Sequence, residues 1–221
     1  MGKRGPKPKH LVSEKWTPSL AYAVGLLATD GCLSSKGHLI DLTSKDREQL
    51  ENFCRCVGVD FRITVKRSGT GRKSSRIQFK NVLFYDFLFS IGLTPAKSKT
   101  LGPLKIPQKY FFHFLRGVFD GDGSTYSYWD PRWKSSFIFY LCFASASHNF
   151  LLWLQRTLQA RLHVVGHITS ANGHSTKQLR YAKREGLKVL QRMYRNAPKG
   201  TYLSRKHLKI QRMLAIVGEQ L

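Results

Sequence analysis

Phe114-Leu115-Arg116-Gly117-Val118-Phe119-Asp120-Gly121-Asp122-Gly123-Ser124 is the stretch that sets the fold, because a version of it occurs twice. The earlier copy is Gly25-Leu26-Leu27-Ala28-Thr29-Asp30-Gly31, and the spacing of 92 residues between Gly25 and Gly117 is kept between Asp30 and Asp122. Each copy predicts an apolar helix that stops at Asp-Gly, since Gly readily ends helices. Thr17-Pro18 supplies an N-cap and first position for the first helix, and Pro107 begins the second. The small residues Gly25 and Ala28, and Gly117 and Gly121, suit two helices that approach closely.

The repeat runs further. Leu42-Thr43-Ser44 returns as Phe143-Ala144-Ser145, 101 residues on, and Arg76-Ile77-Gln78-Phe79 as Gln178-Leu179-Arg180-Tyr181, 102 residues on. The change from 92 to 101 marks an insertion of nine residues in the second copy, within TYSYWDPRWKSS at 125–136, as a longer hairpin. Each copy is expected to run helix, two strands (within 33–43; 125–128 and 136–145), helix (46–57; 147–160), two strands (61–67 and 75–80; 163–170 and 177–182), helix (82–91; 184–194). A last helix spans 204–217. The fold class is α+β, with two pseudo-symmetric αββαββα halves at 17–92 and 107–217, a linker at 93–106, and a basic arm at 1–16 expected to be mobile.

Lys+Arg number 37 against Asp+Glu 13, a net charge of +24, while 42% of residues are hydrophobic. A packed core inside so positive a shell implies a polyanionic partner. The basic residues are spread along the chain rather than gathered on one amphipathic helix, which favours nucleic acid over a membrane surface. No run of about 18 apolar residues predicts a membrane span. The N-terminus lacks the apolar core of a secretion signal, so the expected location is the cytoplasm or nucleoid of a prokaryote, or an organelle. Cys32, Cys54, Cys56 and Cys142 lack zinc-site spacing and read as reduced thiols. The histidines form no zinc-nuclease cluster; His38, His167 and His174 are candidates for DNA contact.

Against this scarcity of acids, Asp30 and Asp122 recur at matched points. A carboxylate at a helix C-terminus meets the negative end of the macrodipole, which costs about 0.3–1 kcal/mol, and two brought together repel. A divalent cation relieves both, and carboxylates completed by phosphate oxygens and water suit Mg2+.

Strand parity points the same way. Arg62, Thr64 and Lys66 alternate with Phe61, Ile63 and Val65; Arg76, Gln78 and Lys80 alternate with Ile77 and Phe79; Gln178 and Arg180 alternate with Leu179 and Tyr181. Period two places one set on the core and the other outward. An outward face of Arg, Lys, Gln and Thr without acids in these strands suits phosphates and base edges. Lys36, His38, Arg72, Lys73, Tyr126, Tyr128, Arg132, Lys134, His167, Thr169 and Lys177 complete the expected DNA-contacting set, and the KRGPKPK arm could lie in a minor groove or be a solvated tail.

The segments 23–31 and 115–123 resemble the two copies of the motif that names the LAGLIDADG homing endonucleases. The second is the fuller match; in the first, Ala28 replaces the acid that Asp120 retains. The resemblance covers about residues 17–215. It implies two sheets forming a saddle over double-stranded DNA, and a monomer with an internal pseudo-dimer. It also implies metal-dependent hydrolysis of both strands with staggered ends, at a long, nearly asymmetric site. Asp30 and Asp122 are carried over as metal ligands, with Thr29 and Gly121 before them in the same set, and Asp120 as a structural hydrogen bonder. The implied ion is Mg2+, with Mn2+ substituting and Ca2+ supporting binding without cleavage. Lys97 or Lys99, and Lys206 after Arg205, resemble the family's catalytic cations. An intron-encoded origin is expected. The same fold also serves as RNA maturase or as a non-cleaving sequence-specific DNA-binding protein, the alternative to the endonuclease.

Overall fold

The structure, a computed structural model, describes residues 8–67, 69, 71–170 and 175–221. The start of the basic arm and His174 lie outside the described residues.

The two motif helices form the centre. α1 (Pro18–Thr29) is opened by Thr17, whose side chain accepts from Leu20 N, and is apolar all round: Leu20 to Ala28 are all buried. A helix with no polar face must be covered on every side. Its main partner is α4 (Phe111–Asp122), likewise buried from Phe114 to Asp120. The glycines explain how close they come. A Cβ on Gly25 would sit 2.8 Å from Gly117 Cα, and one on Gly117 would sit 3.0 Å from Gly25 Cα. The expectation that Pro107 opens α4 is off by one turn. Pro107 instead precedes a short 3-10 turn, Gln108–Tyr110, which leads into the helix.

Each motif helix runs directly into a sheet. In the first half, β1 (Gly31–Leu33), β2 (Leu39–Ser44), β3 (Thr64–Arg67) and β4 (Lys73–Lys80) form an antiparallel sheet in the order β1-β2-β4-β3. In the second, β5 (Gly123–Trp129), β6 (Phe137–Ser145), β7 (His167–Ser170) and β8 (Lys177–Ala182) repeat that order as β5-β6-β8-β7. α2 (Arg47–Val57) and α3 (Val82–Ser90), and their counterparts α5 (His148–Leu162) and α6 (Lys183–Tyr194), complete the halves; α7 (Ser204–Ile216) follows. Both halves are therefore αββαββα. One core runs through both, with Phe53, Phe61, Phe79 and Phe84 stacked in the first half and Phe119 edge-on to Phe143 in the second. The nine inserted residues lie in the β5–β6 hairpin. They lengthen both strands and the turn, which carries exposed Trp133 and is braced by Asp130 Oδ1 accepting from Arg132 N at 2.9 Å.

One expectation about the strands needs correction. β3 begins only at Thr64, and all four of its residues are exposed, Val65 at 68%. It is the outer strand of its sheet, paired on one side only, so period two no longer sorts core from surface there. Lys73 shares its side of β4 with Ile77 and Phe79, and Lys177 shares its side of β8 with Leu179 and Tyr181. Alternation places both lysines on the core side of the pleat, at strand starts where the core has run out and Lys73 is exposed.

Candidate active site

The C-termini of α1 and α4 bring together the two carboxylates that the repeat singled out. Asp30 is the C-cap of α1, its N–H donating to Leu26 O at 2.9 Å. Asp122 is the last residue of α4. Gly121 makes room between them: a Cβ there would sit 3.1 Å from Asp30 Oδ2. Burial, partly offset by a Gln49 hydrogen bond and aggravated by the charge of Asp122, pushes the Asp30 carboxyl up to about 6. Burial also raises Asp122, against the pull of Lys97 and Lys206. Both acids thus sit where ionisation is disfavoured without an added cation.

The two lysines are symmetry mates. Lys97 Nζ donates to Gly31 O at 2.7 Å and Thr29 O at 3.4 Å. Lys206 Nζ donates to Gly123 O at 2.7 Å and Gly121 O at 3.3 Å, the equivalent carbonyls, and also to Phe119 O and Asp120 O at 2.6 and 2.8 Å. Each ammonium caps the carbonyl end of a motif helix, where a cation offsets the macrodipole. Both are buried, and desolvation lowers their pKa values, that of Lys206 to about 8. Lys99 is exposed; of the two candidates in the linker, Lys97 is the one at the motif.

Asp120 is a structural group. Its Oδ2 accepts from Tyr22 OH and from Leu203 N, both at 2.8 Å, tying α4 to α1 and to the approach to α7. Buried Arg116 donates to Thr201 O at 2.7 Å and to Thr201 Oγ1 at 3.0 Å, and also to Met193 O. Nothing in the sequence distinguished Arg116 from the surface arginines.

Gln49 is the functional residue that the sequence hid. Asp46-x-x-Gln49 has the spacing of a capping box, yet neither side chain caps α2. Gln49 Nε2 donates to Asp30 Oδ2 at 2.6 Å while its Oε1 accepts from Ser44 Oγ at 3.0 Å, and Asp46 pairs with Arg205. Only the end of α1 in space brings Gln49 to the motif.

The outward faces carry most of the expected polar set. Register places Thr64 opposite Arg76 on the first sheet, and His167 opposite Arg180 with Thr169 opposite Gln178 on the second. Gln78 and Lys80 alternate with buried Ile77 and Phe79. Tyr126 and Tyr128 line the second face, with ring centroids 5.5 Å apart. Arg62 is exposed ahead of β3, Lys66 lies within it, and Arg72 is exposed just before β4. Lys36 and His38 occupy the β1–β2 turn, His38 edge-on to Tyr85, while Arg132 and Lys134 occupy the long hairpin's turn. One acid breaks the pattern. Asp41 stands between Cys32 and Gln78 in the register, and its carboxylate accepts from Arg76 and from Thr43 Oγ1, the latter at 2.9 Å. A cleft lined by Thr29, Asp122, Lys97, Ser98, Ala144 and Thr176 joins the motif ends to the second sheet.

As a metal site, the centre offers little beyond these groups. Among the described residues no cluster of three or more His, Cys, Asp or Glu gathers for an ion. The two carboxylates, Asp30 half-buried and Asp122 open to solvent on one side, form with the neighbouring carbonyls of Thr29 and Gly121 a hard-oxygen donor set with open positions. It fits a cation such as Mg2+ that takes its remaining ligands from phosphate and water.

Residues 110–195 match a family model described as a LAGLIDADG-like domain. No curated protein matches the sequence. Among solved structures, full-length DUF199/WhiA from Thermatoga maritima is similar at 14% identity over 94% of this chain and 63% of that chain, with a TM-score of 0.57. The chain thus spans a little under two thirds of that protein. The homing endonuclease I-WcaI bound to its DNA recognition sequence is similar at 14% identity over 94% of this chain and 95% of that chain, with a TM-score of 0.58. I-DmoI in complex with DNA and Mn is similar at 13% identity over 82% and 98%, with a TM-score of 0.53. No helix among the described residues is long and apolar enough to cross a membrane. The chain carries a LAGLIDADG-like domain over its second motif and, across both motifs, the single-chain, two-motif LAGLIDADG fold.

Proposed function

We propose that the protein is a site-specific endonuclease for double-stranded DNA, using Mg2+ or Mn2+ and leaving staggered ends at a long, nearly asymmetric site. One observation carries this reading: the two halves each deliver one carboxylate to the same point, where partial desolvation raises both and leaves them poised for a cation. A purely structural helix junction has no use for such a pair.

Each part of the chain has a role in that chemistry. Asp30 and Asp122, with the carbonyls of Thr29 and Gly121, would hold the ion. When bound, a divalent ion there supplies charge neutralisation at the phosphodiester and a more acidic water. Lys97 and Lys206 cancel the negative ends of α1 and α4 and fix the carbonyls beside the acids. Gln49 orients Asp30. The outward faces of the two sheets bind the duplex through Arg76, Gln78, Lys80, Thr64, His167, Thr169, Gln178 and Arg180. Their residues differ between the halves, which suits an asymmetric target. Arg and Gln in these rows provide bidentate partners for guanine and adenine.

The test is a randomised duplex library incubated with the protein in Mg2+ and in Ca2+, with the ends then sequenced. Expected are one recovered family of sites, cut with a constant stagger in Mg2+ and bound intact in Ca2+. Specific binding with no cut in either metal would leave the non-cleaving reading instead. A preference for structured RNA would point to a maturase.

A further inference from the structure

The segment 200–206, which ends at Lys206, is threaded between the two halves. On one side the second half's own α4 holds it, through Arg116 on Thr201 and Asp120 on Leu203 N. On the other side lies α2, which belongs to the first half. Asn52 Nδ2 donates to Tyr202 O at 2.9 Å, and Arg205 pairs with Asp46 at 2.8 and 2.6 Å. Ser204 N donates to Glu48 Oε1 and Oε2 at 3.0 and 3.1 Å, and Ser204 Oγ donates to Glu48 as well.

These bonds do for α7 what its own sequence does not. Leu203 stands at its N-cap position, where it can offer no capping oxygen, and the first turn holds no acid. A free helix N-terminus exposes unpaired N–H groups and favours an anion. Glu48 is that anion, supplied across the interface. The residues that supply this support are diverted from local duties: Asp46 sits at the N-cap of α2 and makes no cap bond there. The matched position at the start of α5 is Ser147, which does cap its own helix and reaches across only once, to Leu101 O in the linker after Lys97. The Lys97 arm is thus held lightly by the opposite half, and the Lys206 arm firmly.

We infer that Glu48, seconded by Asp46, is a positioning residue: the first half sets Lys206 on the carbonyls flanking Asp122, so that the strand cut through Asp122 depends on the docking of the other half. This rests on the proposed cleavage activity for its strand assignment, but its placement of Lys206 can be read without cleavage.

The experiment has two arms. In the first, metal-free protein without DNA is reductively methylated and the labelling rates of Lys206 and Lys97 are compared by mass spectrometry. Glu48→Ala is expected to raise labelling of Lys206 about tenfold, the scale of local opening on losing a helix N-cap, while Lys97, an internal control for folding, stays protected. Glu48→Gln, which keeps one acceptor for Ser204 N, should recover part of the protection. Unchanged labelling of Lys206 in Glu48→Ala, or both lysines rising together in Glu48→Gln, overturns the inference. Should Glu48→Ala fail to fold, Asp46→Asn carries the same expectation, since it loosens only Arg205. In the second arm, a supercoiled plasmid bearing the recovered site is followed through nicked to linear form. Glu48→Ala should accumulate nicks, with the uncut strand being the one that Lys206→Met also spares, its rate down about tenfold. Equal slowing of both strands would overturn the inference. A parent protein that never cuts would sink the endonuclease reading alone, and the labelling arm would still decide the positioning.

Discussion

The two ends of the central helix pair have the same backbone and different chemistry. At α1, the carboxylate is tied and the lysine is lightly held: Asp30 accepts from Gln49, and Lys97 reaches two carbonyls. At α4 the order is reversed, since Lys206 reaches four carbonyls and no side-chain hydrogen bond holds Asp122 among the described residues. The matched carbonyls, Thr29 with Gly121 and Gly31 with Gly123, are what the repeat preserves. The side chains around them have diverged, because each half needs only to present one carboxylate at the junction and can support it in its own way. Pseudo-symmetry of fold therefore does not imply equal treatment of two DNA strands.

Removing the carboxylates breaks the comparison most severely. Asp122→Asn and Asp30→Asn should each lower cleavage by about a thousandfold or more, the scale of losing a principal charge-stabilising group, while specific binding in Ca2+ at neutral pH survives. The same variants should do the opposite to stability. The Asp30 carboxyl sits at about 6 in the fold against 3.8 when unfolded, so the folded state binds the proton more tightly and loses stability as pH rises from about 4 to about 6. At pH 7.5 in a chelator, Asp30→Asn removes that charged-state penalty. It is expected to raise stability by about 1–3 kcal/mol in denaturant titration, and to abolish stabilisation by added Mg2+. A less stable Asp30→Asn protein would mean that the carboxylate is a structural group rather than a poised ligand.

Much of this junction was legible in the chain. The repeat located both carboxylates, the glycines that let the helices meet, the helix stops and even the length of the inserted hairpin, because each is a local pattern with a fixed spacing. Legibility fell where a side chain serves a distant element. Gln49 reads as a capping residue until the end of α1 is placed beside it. Asp41 is invisible to alternation read strand by strand, because its partner Arg76 stands on a neighbouring strand. Arg116 and the α2–α7 contacts are tertiary, and nothing in one sequence records them.

Next in size is the contrast between the lysines. Lys206→Met leaves four carbonyls, three of them in buried contacts, without their shared donor, and Lys97→Met leaves two, one of them buried. An unsatisfied buried acceptor costs on the order of 1–3 kcal/mol, although backbone carbonyls with a second partner lose less. Lys206→Met should therefore cost about 2–4 kcal/mol in denaturant unfolding and Lys97→Met about 1–2 kcal/mol. A larger loss at Lys97 would invert this asymmetry between the two lysines. The lysines should also set an alkaline limit on the proposed cleavage. Lys206, lowered to about 8, loses its charge as pH passes that value, and the rate should fall with it.

The smallest effect is the sharpest probe of the difference, because it touches one hydrogen bond on one side. Cleavage should decline as pH falls through about 6, where Asp30 takes up a proton, and more Mg2+ should push that limb lower, since metal and proton compete for the same oxygens. The Gln49 bond favours the ionised carboxylate. Gln49→Leu removes it and should move the acid limb upward, slowing cleavage a few-fold near pH 6.5 and scarcely at pH 8, with the deficit recovered at high Mg2+. Asp122 has no such bond to lose, so the matching substitution in the second half, at Phe150, has no reason to move the limb. A pH-independent defect in Gln49→Leu would mean that Gln49 only braces Ser44 and the start of α2, and that the tie to Asp30 contributes nothing to how that carboxylate ionises.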